Sequence, residues 1–312
     1  MTIFQYITLD AESQIFFDAG LPTHVNRIIV DRNSSEEEQL QKFVDCEIAF
    51  GNIPAGWIEK SSTIKWLQLE SVGFEPYLGI LPVTADRLTI TNLKGFFGRQ
   101  VAETALAGIL SLMRGLDKLS ILKNNKEWRD NSFRANLTTL FGAKTLIAGG
   151  GNIGQSFKEI ISGFDAKTII YDKSPDYADT TSIDEFDKHL STADIVFSSL
   201  PDSAGTEHFF DERRFRLMKP TAIFVNVGRG PVVDEAALIN MLNEKLIAGA
   251  VLDVTCLEPL PPEDKLWNCP NLILTQHTGG GSRNELKGKV EIFLENLDLY
   301  INAKTLTRQV SV

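Results

Sequence analysis

A glycine-rich turn set between an apolar run and a helical stretch restricts this chain more than any other feature. In TLIAGGGNIGQSF, residues 145–157, the run leads into Gly149-x-Gly151-x-x-Gly154 and then into the helix. The first glycine permits a tight turn, the second lets backbone approach a pyrophosphate, and the third lets helix and strand pack closely. An anion held here sits on the helix N-terminus, at Asn152 and Ile153, where free N–H groups and the helix dipole favour negative charge. Such turns also occur for packing alone, so the surroundings decide what this one does.

Six apolar runs, at 145–148, 168–171, 195–199, 222–226, 248–252 and 272–275, alternate with helical stretches. That alternation predicts a parallel sheet covered by helices on both faces. The second run ends at Asp172, at about the 20-residue distance where a carboxylate accepts the ribose hydroxyls of NAD and repels a 2′-phosphate. NAD is therefore expected rather than NADP, although Asp172 also suits a strand-terminal turn and Lys173 beside it softens the discrimination.

Runs at 4–9, 27–30, 47–50, 64–69 and 88–91 repeat the pattern in the first part of the chain, and 312 residues exceed what one core usually serves. Two domains are expected, one spanning 1–95 with 283–312 and the other 96–282. Residues 101–119 carry apolar side chains at three- and four-residue spacing and predict one buried helix. The tail at 285–303 reads as a helix returning to the first domain. Gly95 and Gly98 at one boundary, and Gly279, Gly280 and Gly281 at the other, are candidate hinges.

Composition narrows the function classes. A net charge of -10 with no long Lys/Arg run disfavours nucleic acid as a partner. No apolar stretch approaches the roughly 18 residues of a membrane helix, and the first ten residues lack a basic leader, so neither insertion nor secretion is expected. Three scattered cysteines, Cys46, Cys256 and Cys269, suggest no disulfide framework, no metal site, and a reducing cytoplasm.

Three strand ends in the second domain carry charged or titratable side chains. FVNVGRGPVVDEAAL places Arg229 between two glycines, where a guanidinium can meet a carboxylate or carbonyl oxygen, or else pair with Asp234 or Glu235. AGAVLDVTCLEPLP offers Asp253 at the strand end and Glu258 beyond it, and NLILTQHTGGGS offers His277. Histidine is the side chain best suited to proton exchange near neutral pH, and a carboxylate partner fixes its ring.

These motifs, in this order, resemble those of the D-isomer-specific 2-hydroxyacid dehydrogenases, with a likeness to glyoxylate/hydroxypyruvate reductases. The resemblance rests on VAE at 101–103, GGGNIG at 149–154, SLPDSAGTEHF at 199–209, NVGRGPVVDEAAL at 226–238, GAVLDVTCLEPLP at 249–261 and LWNCPNLILTQH at 266–277. It implies an α/β protein of two doubly wound parallel-sheet domains, a Rossmann NAD-binding domain inserted into a flavodoxin-like substrate domain. It also implies an oxidoreductase interconverting a small 2-keto acid and its D-2-hydroxy acid, and a homodimer formed through 123–140 with Trp128 and Phe133.

Carried over residue by residue, the catalytic set falls on Arg229, Glu258 and His277, and the nicotinamide-amide acceptor on Asp253. Adenine-side contacts fall on Leu200, Pro201 and Thr206, and further cofactor contacts on Val227, Gly228, Gly279 and Gly280. Substrate-carboxylate amides fall on Val72 and Gly73 within SVGFEP, residues 71–76. Two positions depart from the family pattern: Gln276 stands where a proline usually precedes the histidine, and Phe74 and Glu75 stand where an Asp or Asn often follows the glycine. A phosphorylated substrate, as in a phosphoglycerate-type dehydrogenase, calls for basic residues where Glu75 stands, although Arg99 and Arg114 could contribute. The same fold also serves NAD(H)-sensing corepressor-like proteins, which need the cradle but not the proton donor.

Overall fold

The short apolar runs form parallel strands, most of them buried on both faces, in a computed structural model that describes residues 1–84 and 86–310. Strands covered by helices on each side have no polar face to show, which is why they read as continuous apolar stretches. The chain divides into two units, Met1–Phe96 with Ser282–Val312, and Phe97–Gly281.

In the first unit, β1 (Thr2–Gln5), α1 (Ala11–Gly20), β2 (Asn26–Ile29), α2 (Glu36–Phe43), β3 (Ile48–Phe50), α3 (Ala55–Lys60), β4 (Trp66–Gln68), α4 (Leu81–Thr84) and β5 (Thr89–Thr91) follow in turn. The strands form one parallel sheet in the order β2-β1-β3-β4-β5. This 2-1-3-4-5 order is that of flavodoxin-like folds. On one face α1 and the C-terminal helix, Glu285–Ile301, bury Ile3, Phe17, Phe50, Trp66 and Phe293. Phe293 stacks on Phe50 and Trp66 at ring separations of 4.4 and 4.9 Å. Burying a side chain of this size stabilises by roughly 1.5–3 kcal/mol, which fixes the C-terminal helix on this sheet. The opposite face holds Phe4, Phe43 and Trp57.

The first strand is displaced from the expected 4–9. After Gln5 the amides of Tyr6 and Ile7 both donate to the single carbonyl of Phe50, at 2.8 and 2.9 Å, which ends the ladder. Asp10 then accepts from the Ser13 amide and starts α1. An apolar run shows that a strand exists but not where its pairing stops.

The second unit holds α5 (Gly98–Arg114), α6 (Leu116–Asn124), β6 (Lys144–Ala148), α7 (Asn152–Ser162), β7 (Lys167–Tyr171), α8 (Ile183–Leu190), β8 (Ile195–Ser198), α9 (Glu212–Leu217), β9 (Ile223–Asn226), α10 (Glu235–Asn243), β10 (Gly249–Leu252) and β11 (Leu272–Leu274). Its six strands are parallel, in the order β11-β10-β9-β8-β6-β7. Thr180 adds a single parallel bridge to Tyr171, so the third strand of the usual dinucleotide-binding order is reduced to one residue pair. The order reverses between β6 and β8, and open α/β sheets bind ligands at that point, beyond the carboxyl ends of the strands.

α5 and α7 cover one face of this sheet around Phe157 and Phe197, whose rings stack at 4.1 Å, while α8, α9 and α10 cover the other around Phe186, Phe215 and Leu238. The single helix expected over 101–119 is two, because Gly115 adopts φ +64° and breaks the helical path. Among the described residues no helix is long and apolar enough to cross a membrane.

Candidate active site

The glycine turn joins β6 to α7, and each of its glycines meets a different demand. Gly149 takes φ +100°, in the left-handed half of backbone space. A side chain on Gly154 would start 2.0 Å from the Gly149 carbonyl oxygen, whereas one on Gly151 would meet nothing within 4 Å. Helix α7 has no side-chain cap at its N-terminus, so its first amides are available to an anion approaching over Gly151. These features fit the pyrophosphate of a dinucleotide.

Asp172, just past β7, ties this turn to its neighbour strand. One carboxylate oxygen accepts from the Gly150 amide at 2.7 Å and the other from the Ser174 amide at 2.9 Å. A carboxylate offers about four acceptor positions, so both oxygens keep capacity for ribose hydroxyls. Lys173 reaches the next loop, where its Nζ would stand 2.7 Å from a Cβ on Gly205. In that loop Leu200 is buried, and the Thr206 hydroxyl is turned inward, donating to the Pro201 carbonyl at 2.6 Å. Thr206 therefore holds the loop after β8 in shape, with Pro201 as its partner.

Past β9, Val227 is buried and Gly228 packs against Leu200, whose carbonyl oxygen would lie 2.3 Å from an added Cβ. Arg229 is half-buried. One guanidinium N–H donates to the Gly228 carbonyl at 2.8 Å, and among the described residues Arg229 forms no ion pair. Asp234 instead caps α10 through the Ala237 amide, and Glu235 accepts from the Cys256 amide at 2.7 Å. Burial, followed by the nearby Asp264 and Glu258 carboxylates, raises the Glu235 carboxyl above the usual carboxylate range despite that hydrogen bond. Asn226, fully buried at the end of β9, accepts from the Gly228 amide and donates to the Arg229 carbonyl. Sequence reading assigned no role to Asn226, although a polar residue closing an apolar strand was its visible signal.

Past β10 and β11 the remaining charged groups meet. Glu258 Oε2 lies 2.6 Å from His277 Nδ1, and Glu258 Oε1 accepts from the Thr255 amide at 3.0 Å. Against a carboxylate Nδ1 serves as the donor, which leaves Nε2 as the group directed elsewhere. Both side chains are partly exposed and, with Asp253, Gln276 and Trp267, line a pocket of about 410 Å³.

Asp253 is buried beneath this pair. Its carboxylate accepts from the Thr275 hydroxyl and the Gly279 amide, and its carbonyl accepts from the His277 amide at 2.6 Å. The residue expected to meet the nicotinamide amide therefore also pins the loop carrying His277. Gln276 and His277 both take φ +55°. Proline is locked near φ −65°, so the replacement of the usual proline by Gln276 matches a backbone that proline cannot adopt. Gly279 packs on Asp253 and Gly280 on Phe97, where side chains would begin 2.6 and 2.8 Å from those groups.

Val72 and Gly73 belong to the first unit, on the loop after β4. The Val72 carbonyl accepts from Asn92 Nδ2 at 2.7 Å and the Gly73 carbonyl from the Ser71 hydroxyl at 2.8 Å. The carbonyls are thus tied back, while the two amides have no acceptor among the described residues.

Known proteins share this sequence pattern and this fold. The sequence model described as "D-isomer specific 2-hydroxyacid dehydrogenase, NAD binding domain" matches residues 106–279. A glyoxylate reductase of Thermofilum pendens is 30% identical over 274 residues, covering 84% of this chain and 80% of its own length. The crystal structure of a D-isomer specific 2-hydroxyacid dehydrogenase family protein from Aeromonas salmonicida superposes with a TM-score of 0.84 at 26% identity, over 99% of this chain and 98% of that one. D-lactate dehydrogenase of Lactobacillus jensenii, solved with NAD+, shares the fold with a TM-score of 0.80 at 24% identity, over the full length of both. The chain belongs to the D-isomer specific 2-hydroxyacid dehydrogenases, nicotinamide-dependent oxidoreductases acting on the CH–OH group of their donors.

Proposed function

We propose that this enzyme reduces a small 2-keto acid to its D-2-hydroxy acid with NADH, using Arg229, Glu258 and His277. The observation that carries this reading is the 2.6 Å Glu258–His277 pair, past β10 and β11, with β10 lying beside the strand that presents Arg229, which has no carboxylate partner among the described residues. A nicotinamide cofactor bound over the glycine turn supplies the hydride. Arg229 polarises the keto oxygen and stabilises the negative charge that develops there. His277 donates a proton from Nε2 to that oxygen, while Glu258 holds the ring through Nδ1. The amides of Val72 and Gly73 are assigned to the substrate carboxylate, and Asp172 to the ribose hydroxyls, favouring NADH over NADPH.

The size of the substrate follows from likeness to relatives named glyoxylate reductase and from Glu75, which disfavours a phosphorylated acid. Short keto acids such as glyoxylate and hydroxypyruvate are expected to be turned over with NADH ahead of longer or phosphorylated ones. His277→Ala is expected to lower kcat by roughly 100-fold or more while leaving NADH binding intact. Near-normal turnover in that variant overturns the assignment, and cofactor binding without turnover of any keto acid points to the sensor reading instead. The exposed Leu116, Ile121, Trp128 and Phe141, with Trp128 99% exposed, support self-association into a homodimer. Sedimentation at the mass of a single chain would exclude it.

A further inference from the structure

Two successive peptide groups around Thr255, outside the proposed catalytic trio, touch the supports of all three members. The Thr255–Cys256 peptide lies against Gly230, where an added Cβ would stand 2.1 Å from the Thr255 carbon and oxygen and 2.5 Å from the Cys256 nitrogen. Gly230 directly follows Arg229, so the arginine loop rests on this peptide. The adjoining Val254–Thr255 peptide carries the Thr255 amide, which donates to Glu258 Oε1, and Glu258 Oε2 holds His277. The Thr255 hydroxyl closes the same turn by donating to the Leu257 carbonyl at 2.7 Å. The remaining polar handle is the Cys256 N–H, and Glu235, the first residue of α10, accepts it at 2.7 Å.

We infer that Glu235 is a positioning residue that clamps the Thr255–Cys256 peptide from the rigid start of α10, and so sets Arg229 and the Glu258–His277 pair in register. The inference rests on the catalytic roles proposed above. The physical basis is that a loop held only by its own turn can rotate its peptide planes, whereas an amide bonded to a helix-borne carboxylate cannot do so without losing that bond. A charged acceptor makes such a bond stronger than a neutral one. Rotation of this peptide would press its oxygen on Gly230, and the compensating turn at Thr255 would draw the adjoining Thr255 amide off Glu258. Displacements of about 1 Å at such supports cost up to about 100-fold in rate, so even partial loosening is measurable. Glu235 itself need not touch substrate or cofactor.

The test compares Glu235→Gln with Glu235→Met in the full-length enzyme. The two side chains are equally long and equally uncharged, and only the glutamine offers the Cys256 N–H a strong acceptor. The glutamine enzyme is expected to keep kcat within about threefold of the parent. The methionine enzyme is expected to lose about tenfold or more in kcat, with a much smaller change in the NADH Kd, because the glycine turn that holds the pyrophosphate lies at another strand end. The downfield proton resonance expected for the short His277 Nδ1–H···Glu258 bond should persist in the glutamine enzyme and broaden or vanish in the methionine enzyme. Parent-like rate and resonance in both variants, or equal impairment of both in folding or rate, overturns the inference, because the acceptor would then be irrelevant. His277→Ala measured alongside separates the two readings: if it is inactive while Glu235→Met is normal, only the role of Glu235 fails, and if it is active the catalytic assignment fails first.

Discussion

The glycine turn after β6 and the histidine loop after β11 both close a parallel strand, yet they are built by opposite means. The turn works by what it lacks: without side chains at Gly149 and Gly154 its backbone can fold upon itself, and Gly151 leaves room above α7. The histidine loop works by what it holds. Gln276 and His277 both carry side chains in a left-handed conformation that disfavours them. The buried Asp253 keeps them there through the Thr275 hydroxyl and the Gly279 and His277 amides. A cradle made by omission is vulnerable to added atoms, whereas a loop made by tethering is vulnerable to lost bonds or forbidden angles.

The largest effect expected from breaking this contrast is on the cradle. Gly154→Val forces a branched side chain onto a carbonyl oxygen 2.0 Å from its first atom. NADH affinity should fall by roughly 100-fold, about 2.7 kcal/mol, as measured by fluorescence titration. An unchanged Kd would show that the turn is not the cofactor cradle.

A smaller effect is expected from Gln276→Pro, which restores the residue usual in the family. Proline cannot take φ +55°, so the change should cost about 1–3 kcal/mol in loop geometry and lower kcat by about tenfold, with little effect on NADH binding. A variant as active as the parent, with an unchanged Tm, would mean that the loop has a second conformation of equal energy.

The smallest effect concerns Cys256, which is exposed on the loop that carries Glu258. Burial of its sulfur and the Glu235 carboxylate push the thiol up to about 12. A pKa raised that far keeps it protonated and unreactive near neutral pH, since the thiolate is the nucleophile. Thiol-directed reagents should therefore modify Cys256 slowly at neutral pH and faster as the medium becomes strongly alkaline. Rapid neutral modification, followed by mass spectrometry, would show that the clamp on this loop opens readily.

How much of this was readable beforehand differs between the same two regions. The cradle announces itself because glycine spacing is a backbone requirement, and a backbone requirement is written directly in residue type. The positions of Arg229, Glu258 and His277 were also legible, because apolar strands mark their own ends. The third strand of the second unit was not legible, since a one-residue bridge at Thr180 leaves no apolar run. Nor was the break at Gly115, where the periodicity continues across a change in φ.

Sequence alone determined the alternation of strand and helix, the glycine turn and which chemical groups stand at the strand ends, because each depends on residues adjacent in the chain. Tertiary structure decided how those groups are held. Asp253 supports a loop more than twenty residues away, and Glu235 captures an amide from a different strand end. Hydrogen bonds between segments distant in sequence depend on which strands become neighbours and in what register, and residue order does not state those distances.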